Sequence, residues 1–335
     1  MGAAEILPTH TPTLFQTAVR RAAELLRAGE VVALPTETVY GLAANALDPE
    51  AVSRIFTIKG RPAHNPIIVH VASLELARDC VARWPGLADK LARAFWPGPL
   101  TLVLPRANSI PDVVTAGGST VGVRWPSHPF IQAVIRECGF PLAAPSANLS
   151  NHVSPTSASH VKKQLGEKIR LIVDGGQSQV GIESTVLDLS ISPPRLLRPG
   201  MVHEQALLAI TGSLNMREGA GEVLKSPGLL RKHYSPKAKL LVCSWQNDQE
   251  LGQLSASTGV RASRLHVIAH TRIPGAANFG RVSVIPHDAV AFARALYGEL
   301  HACDEAGAEL IVVESLPDTP EWRAISDRLK RAAAN

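Results

Sequence analysis

The chain reads as an α/β protein of two domains. A layered mixed domain spans residues 1–210, a linker 211–237, and a small α/β domain 238–335. Three observations predict this. The 335 residues lie near the upper limit for one compact core. Short apolar runs of strand length alternate with amphipathic helical patterns through the first two thirds. Near Thr211 the composition shifts, and Gly212, Gly219, Gly221, Pro227 and Gly228 break every periodic pattern before strand and helix signals resume.

Taken in order, residues 15–28 carry the period of an amphipathic helix and 31–34 that of a buried strand. Residues 51–58 are predicted helical, opened by Asp48 as cap and Pro49 in the first turn. A strand at 67–71, helices at 74–84 and 87–95, and strands at 100–104 and 121–124 follow. Next come a helix at 129–137, a short strand at 142–144, a helix at 157–165, and strands at 171–174 and 185–188. Beyond the linker, strands are expected at 239–243, 265–269 and 310–314, with a long helix at 289–306 and a closing helix at 322–334. That order suits a small parallel sheet. It carries no G-x-G-x-x-G, so a dinucleotide site is unsupported.

An apolar share of 45% is enough to build a sizeable core, whereas 4% aromatics argues against a base-stacking platform. The net charge of +5 favours anionic partners such as nucleotides, phosphate or RNA, and is equally what a plain basic surface gives. Cys80, Cys138, Cys243 and Cys303 share no C-x-x-C spacing. No zinc or disulfide framework is expected, and the thiols should pack as small apolar groups in a reducing compartment. The first ten residues contain Glu5 and lack a basic region leading into an apolar run, so no secretory leader is expected. No apolar run reaches about 18 residues, so no membrane span is expected either. The expected location is the cytoplasm.

The chemistry-bearing residues cluster at strand ends. Lys59-Gly60-Arg61 sits in a stretch with no acid between Ala51 and Ser73, and Ser146-Ala147-Asn148 follows about 85 residues later. Cations that bind polyanions, with hydroxyl and amide groups that orient them, are what a nucleotide site needs. Cations also suit a solvated helix C-terminus. The pair is not a P-loop, since G-x-x-x-x-G-K-[ST] is absent. Pro35-Thr36-Glu37-Thr38 leaves a strand for a polar turn that offers hydroxyls and a carboxylate, or only local capping. Gly117-Gly118-Ser119-Thr120 is a glycine turn able to bring N–H groups near an anion, or an ordinary strand entry. Arg124, alone in a Val-Gly-Val strand, is either buried against a partner or aimed at a carboxylate or phosphate. His70 closes its strand in the same way, where a lone histidine is more often structural. Asp174-Gly175-Gly176, Gly181-Ile182-Glu183-Ser184 and Arg198-Pro199-Gly200 lie at further strand edges. No Ser/His/Asp nucleophile set is evident. From the residues alone, the chain is an anion-binding α/β enzyme.

Pro35-Thr36-Glu37-Thr38-Val39-Tyr40-Gly41-Leu42 resembles the opening signature of YrdC-like proteins. Lys59-Gly60-Arg61-Pro62 with Asn65-Pro66, then Ser146-Ala147-Asn148, match that family's split K-x-R…S-x-N signature. Glu183-Ser184-Thr185-Val186 and Leu197-Arg198-Pro199-Gly200 follow in order. Ser226-Pro227-Gly228 and His233-Tyr234-Ser235-Pro236 resemble the linker of the family's long form. The resemblance implies a twisted open mixed sheet with helices, plus a small Rossmann-like α/β C-terminal domain. It implies L-threonylcarbamoyladenylate synthase activity, in which L-threonine, bicarbonate or CO2, and ATP condense with release of pyrophosphate. The product would supply a threonylcarbamoyladenosine modification at tRNA position 37, made by a separate tRNA threonylcarbamoyl transferase. Mg²⁺ is expected with ATP, and no tightly bound organic cofactor.

Carried over residue by residue, the implied threonine contacts are Thr38, His70, Arg124 and Ser184, with Ala144 contributing only backbone where many relatives carry a hydroxyl. The implied ATP contacts are Lys59, Arg61, Asn65, Thr120, Ser146, Asn148, Ser154 and Arg198, with Tyr234 of the linker closing over the nucleotide as part of a lid. Lys59 and Arg61 are the implied catalytic pair, carrying pyrophosphate charge. Lys225, Arg231, Lys232, Lys237 and Lys239 make the lid region basic, and Leu229 to Lys232 lacks the aromatic residue that relatives often have there. The alternative from another class is an RNA-binding or ribosome-associated module with weak RNA affinity. Low aromatic content and the lack of a basic run on one helix argue against it. Transfer from another carbamoyl donor would need accessory modules absent from this sequence.

Overall fold

Helix ends follow from side chains that satisfy the free N–H groups of a first turn. In the computed structural model, which describes residues 2–215, 233–275 and 279–334, Thr11 accepts from Leu14 N to open α1 (Pro12–Arg27). Asp48 accepts from Glu50 N and Ala51 N to open α2 (Pro49–Lys59), with Pro49 in its first turn. Helix α2 ends at Gly60 in the left-handed conformation, φ 59°. A side chain there would be strained, so glycine lets the chain leave the helix between Lys59 and Arg61.

Two units divide the described residues: 2–150 with 154–215, and 151–153 with 233–275 and 279–334. In the first, the strands are β1 (Glu5–Pro8), β2 (Val32–Leu34), β3 (Gly41–Asn45), β4 (Val69–His70), β5 (Leu100–Pro105), β6 (Thr120–Arg124), β7 (Leu142–Ala143), β8 (Leu171–Asp174), β9 (Thr185–Asp188) and β10 (Arg195–Arg198). The further helices are α3 (Leu74–Asp79), α4 (Gly86–Phe95), α5 (Asp112–Thr115), α6 (Pro129–Cys138), α7 (Ala158–Leu165) and α8 (Glu204–Thr211). The strands join in one mixed sheet, ordered β1-β8-β2-β3-β7-β4-β6-β5-β9-β10. Successive strand residues face opposite sides. Val32, Leu34, Leu171 and Val173 pack with residues of α1 and α6, while Ala33 and Ile172 join the cluster containing α2, α4 and α7. Because both faces are covered, the strands read as continuous apolar runs rather than alternating ones.

The mixed sheet is the one expected, with local differences. The helix predicted over 74–84 stops at Asp79. Ala82 N donates to Pro105 O and Ala107 N to Cys80 O, so pairing of Val81 with Arg106 replaces the last helical turns. The polar turn after β2 runs directly into β3, whose Gly-Leu-Ala-Ala sequence has no alternation to reveal it. Strands β1 and β10 and helices α5 and α8 were likewise not apparent. Asn215, at the start of the expected linker, is pinned to β10 through Asn215 N to Pro194 O at 2.7 Å and Leu196 N to Asn215 O at 3.3 Å. Residues 216–232, including Ser226-Pro227-Gly228 and the basic residues Lys225, Arg231 and Lys232, lie outside the described residues.

The second unit contains β11 (Lys239–Cys243), α9 (Asp248–Thr258), β12 (Leu265–Ala269), β13 (Arg281–Val284), α10 (Ala289–Glu305), β14 (Leu310–Glu314) and α11 (Arg323–Ala332). Its strands form a parallel sheet in the order β11-β14-β12-β13. This is the expected Rossmann-like arrangement, with α9 and β13 added to the elements read from sequence. Among the described residues, no helix is long and apolar enough to cross a membrane.

Candidate active site

The sheet places His70 on β4 directly beside Arg124 on the parallel strand β6. Arg124 is 4% exposed and anchored three ways. Its Nη2 lies 2.7 Å from Glu37 Oε1, Nη1 donates to Thr38 Oγ1 at 2.9 Å, and Nε donates to Gly98 O at 3.3 Å. Glu37 and Thr38 come from the turn between β2 and β3. That turn is held by Thr36 Oγ1, which donates to Val39 O and accepts from the N–H groups of Thr38 and Val39. Glu37 Oε1 also accepts from Ser127 N at 3.1 Å. Burial alone would raise the Glu37 pKa, but Arg124 and the Ser127 N–H outweigh it and hold the carboxyl below its usual value. His70 is pushed down to about 3, first by burial and then by Arg124, against a smaller opposing pull from Glu37. Its imidazole is therefore neutral at physiological pH.

Lys59 and the Ser146–Asn148 segment meet. Lys59 Nζ donates to Ser146 O and Asn148 O, each at 2.6 Å, and to Asn148 Oδ1 at 3.3 Å. Burial and the neighbouring Arg61 pull the ammonium below the ordinary lysine value. The three oxygens pull the other way, because only the charged form has a hydrogen for each. Arg61 donates to Asn65 O at 3.0 Å and Pro66 O at 2.7 Å, folding 61–66 into a tight loop. Both side-chain atoms of Asn65 are shut from solvent without a hydrogen-bond partner. Such a group costs free energy unless a ligand completes it.

A third group forms where β9 begins. Arg198 donates to Ser184 O at 3.0 Å and Ser184 Oγ at 3.1 Å, and Ser184 Oγ lies 2.8 Å from Thr101 Oγ1. Ser154 Oγ donates to Glu183 Oε1 at 2.6 Å. Backbone bonds knit the three groups together. Arg124 reaches Gly98 O while Thr185 N reaches Pro99 O, Gly181 N donates to Thr38 O, and Tyr40 joins Pro155 and Ala147. Thr38, His70, Arg124, Ser184, Arg198, Ser154, Lys59, Ser146 and Asn148 thus belong to one bonded neighbourhood of the first unit. Ala144 enters through backbone, its N–H donating to Ile68 O at 3.1 Å. Thr120 opens β6 opposite Pro105, and its side chain makes no hydrogen bond among the described residues. Tyr234 lies in the second unit. It is buried there, with φ 62°, a stacked Tyr297 at 5.9 Å and the Arg328 guanidinium 5.5 Å from its ring. Glu37 and Glu183 were not among the expected site residues. Their signal was an acid beside an apolar run, which sequence reasoning also reads as a turn.

The fold and this web of buried ionic and hydroxyl groups define an α/β protein whose strand ends are built to hold a polar, charged ligand. The Sua5/YciO/YrdC family model, described as telomere recombination, matches residues 24–200. A second model, described as threonylcarbamoyl-AMP synthase, C-terminal domain, matches residues 201–334. The chain belongs to the Sua5/YciO/YrdC family, in the form that carries the Sua5 C-terminal domain. The threonylcarbamoyl-AMP synthase of Pyrococcus abyssi is 39% identical over 322 residues, covering 94% of each chain. That of Bacillus subtilis is 41% identical over 339 residues, covering 98% of this chain and 94% of its own. The crystal structure of P. abyssi Sua5 complexed with L-threonine matches with a TM-score of 0.90 and 37% identity, covering 99% of this chain and 98% of that one. E. coli YciO shares the fold, with a TM-score of 0.53, 24% identity, and coverage of 60% of this chain and 96% of its own.

Proposed function

We propose that the chain is a threonylcarbamoyl-AMP synthase, condensing L-threonine, bicarbonate or CO2, and ATP to threonylcarbamoyl-AMP and pyrophosphate. The observation that carries this reading is the buried Arg124–Thr38–Glu37 group, with His70 beside it, in a chain whose relatives bear that name across nearly their whole length. Arg124 would grip the amino-acid carboxylate, which its planar fork suits. Thr38, Ser184, the neutral His70 and the backbone of Ala144 would complete the threonine subsite. Lys59, Arg61, Asn65, Thr120, Ser146, Asn148, Ser154 and Arg198 would form the ATP subsite, and the orphaned Asn65 amide fits a ligand rich in acceptors and donors.

Threonine binds as the free amino acid, and its amine, once it has lost the ammonium proton, adds CO2 to give the carbamate. A carbamate oxygen then attacks the α-phosphorus of ATP, and the bond to pyrophosphate breaks. Catalysis would rest on positioning and charge neutralisation, with Lys59 and Arg61 facing the departing pyrophosphate. ATP would arrive as its Mg²⁺ complex. Substrate phosphate oxygens would be among the ion's ligands, as is usual for Mg²⁺. Tyr234 would cover the nucleotide, and a separate cytoplasmic transferase would carry the product's threonylcarbamoyl group to tRNA.

The test is ATP–pyrophosphate exchange dependent on threonine and bicarbonate. Full-length protein should show exchange, with Lys59→Ala and Arg61→Ala reduced at least about 100-fold, the scale of losing one preorganised charge contact. Undiminished exchange in both variants would remove their assigned role. Salt-sensitive RNA binding without threonine-dependent exchange would favour an RNA-binding module instead.

A further inference from the structure

The Glu37 carboxylate has one oxygen fully used and one idle. Oε1 holds Arg124 Nη2 at 2.7 Å and Ser127 N at 3.1 Å. Oε2 is shut from solvent and has no hydrogen-bond partner, although the residue is only 6% exposed. An ionised oxygen left that way is costly, so it marks a place where a donor belongs. None of the nearby protein donors bonds Oε2. Arg124 Nη1 and Nε go to Thr38 Oγ1 and Gly98 O, and Nη2, although ion-paired with Oε1, is itself without a hydrogen-bond partner. The Thr36 hydroxyl donates to Val39 O at 2.6 Å, and Thr36 Oγ1 lies 3.0 Å from Thr38 Oγ1.

Charge balance narrows the missing donor. Glu37 and Arg124 cancel, and His70 beside them is neutral, so the group has no net charge. A plain carboxylic acid seated on Arg124 would leave one buried negative charge uncompensated, and a plain amine one positive charge. A zwitterion adds both signs at once and keeps the site balanced.

We propose that Glu37 is the specificity-determining residue of the amino-acid subsite, taking the ligand's α-ammonium on Oε2 while Arg124 takes its carboxylate. This rests on the synthase reading above. It assigns the subsite to α-amino acids as a class and separates them from the matching hydroxy acids. Glu37 and Arg124 act as one unit, since the ion pair also fixes the guanidinium at the angle the carboxylate meets.

The experiment is calorimetric titration of the full-length protein, with bicarbonate and a non-hydrolysable ATP analogue present. The ligands are L-threonine and 2,3-dihydroxybutyrate of the same configuration, in which a hydroxyl replaces the amine. Wild type should prefer threonine by at least about 30-fold, as expected when a buried polar group loses its partner. In Glu37→Gln, threonine affinity should fall about 10-fold or more while the hydroxy acid holds or improves, so that the preference collapses. Glu37→Asp, which keeps the charge, should retain a clear preference. A purely structural role would weaken both ligands together and leave the ratio unchanged, and that result overturns the proposal. So does wild-type binding of the two ligands within about 3-fold, which needs no variant to fold. Threonine binding with an unchanged ratio sinks this proposal alone. No threonine binding by wild type sinks the synthase reading and this proposal with it.

Discussion

Lys59 joins two segments of the site that lie far apart in sequence. Its ammonium holds Ser146 O, Asn148 O and Asn148 Oδ1. Lys59→Met would remove the ammonium that donates to the Ser146 and Asn148 carbonyls, at a cost of roughly 2–4 kcal/mol. The expected outcome is a lower urea midpoint together with loss of exchange, whereas a purely phosphate-facing lysine would lose activity alone. His70 gives a pH prediction. Its folded pKa is about 3 against an ordinary 6.5. Between these values the unfolded chain binds a proton that the folded chain refuses. Stability is therefore complete above about pH 6.5 and falls as pH drops, by up to about 1.4 kcal/mol per unit from this residue. His128, also held below its ordinary value by burial, adds a loss of the same sign, and Glu37 adds one lower down, in the carboxylate range. Urea unfolding at pH 7, 6 and 5 should show the slope, and His70→Asn should flatten it. The sequence showed that Arg124 needs a partner, because an arginine inside an apolar strand cannot stay unpaired. It did not show that Glu37 is that partner, since the two are joined only by pairing of distant strands.

At the scale of elements, the legible parts are those with local causes. Helix α2 was read from Asp48 and Pro49 at its start, and the buried strands from their apolar runs. Strand β3 was not, because Gly41-Leu42-Ala43-Ala44 has neither alternation nor β-branched residues, and its pairing with β2 and β7 decides its state. The junction of β9 and β10 sets the third site group. A Cβ at Gly200 would meet Thr185 N at 2.4 Å, Thr185 Oγ1 at 2.7 Å and Ser184 C at 2.8 Å. Gly200→Ala must push the Ser184–Thr185 backbone away from Arg198. A loss of at least about 2 kcal/mol is expected from this overpacking, with threonine-dependent exchange reduced more than overall fold content. The contrast is Gly252, inside α9 with open space where a Cβ would stand. Gly252→Ala should stabilise the second unit by about 0.5–1 kcal/mol without changing exchange. Thermal melts of both variants, read beside their exchange rates, check the pair.

For the whole molecule, two cores are built by separate sheets, one mixed and one parallel. The lid role proposed for Tyr234 makes the second unit necessary for product retention. A chain ending after Ile210 keeps Leu207 of α8 and both apolar clusters flanking the large sheet. It should melt cooperatively and still bind threonine, but yield less threonylcarbamoyl-AMP and more free AMP than the full chain, as read by chromatography. Equal yield and equal product lifetime would remove the lid role. Sequence alone determined the α/β class, the alternation of strands and helices, and the ordered motifs at strand ends, because these depend on side-chain period, capping and turn chemistry within a few residues. Tertiary structure decided which motifs touch. Parallel pairing of β4 with β6 set His70 against Arg124, the β2–β3 turn supplied Glu37, and the fold brought Lys59 to Ser146 and Asn148. Those contacts join residues up to 89 positions apart, and no local rule of the chain encodes a contact that only the assembled sheet can make.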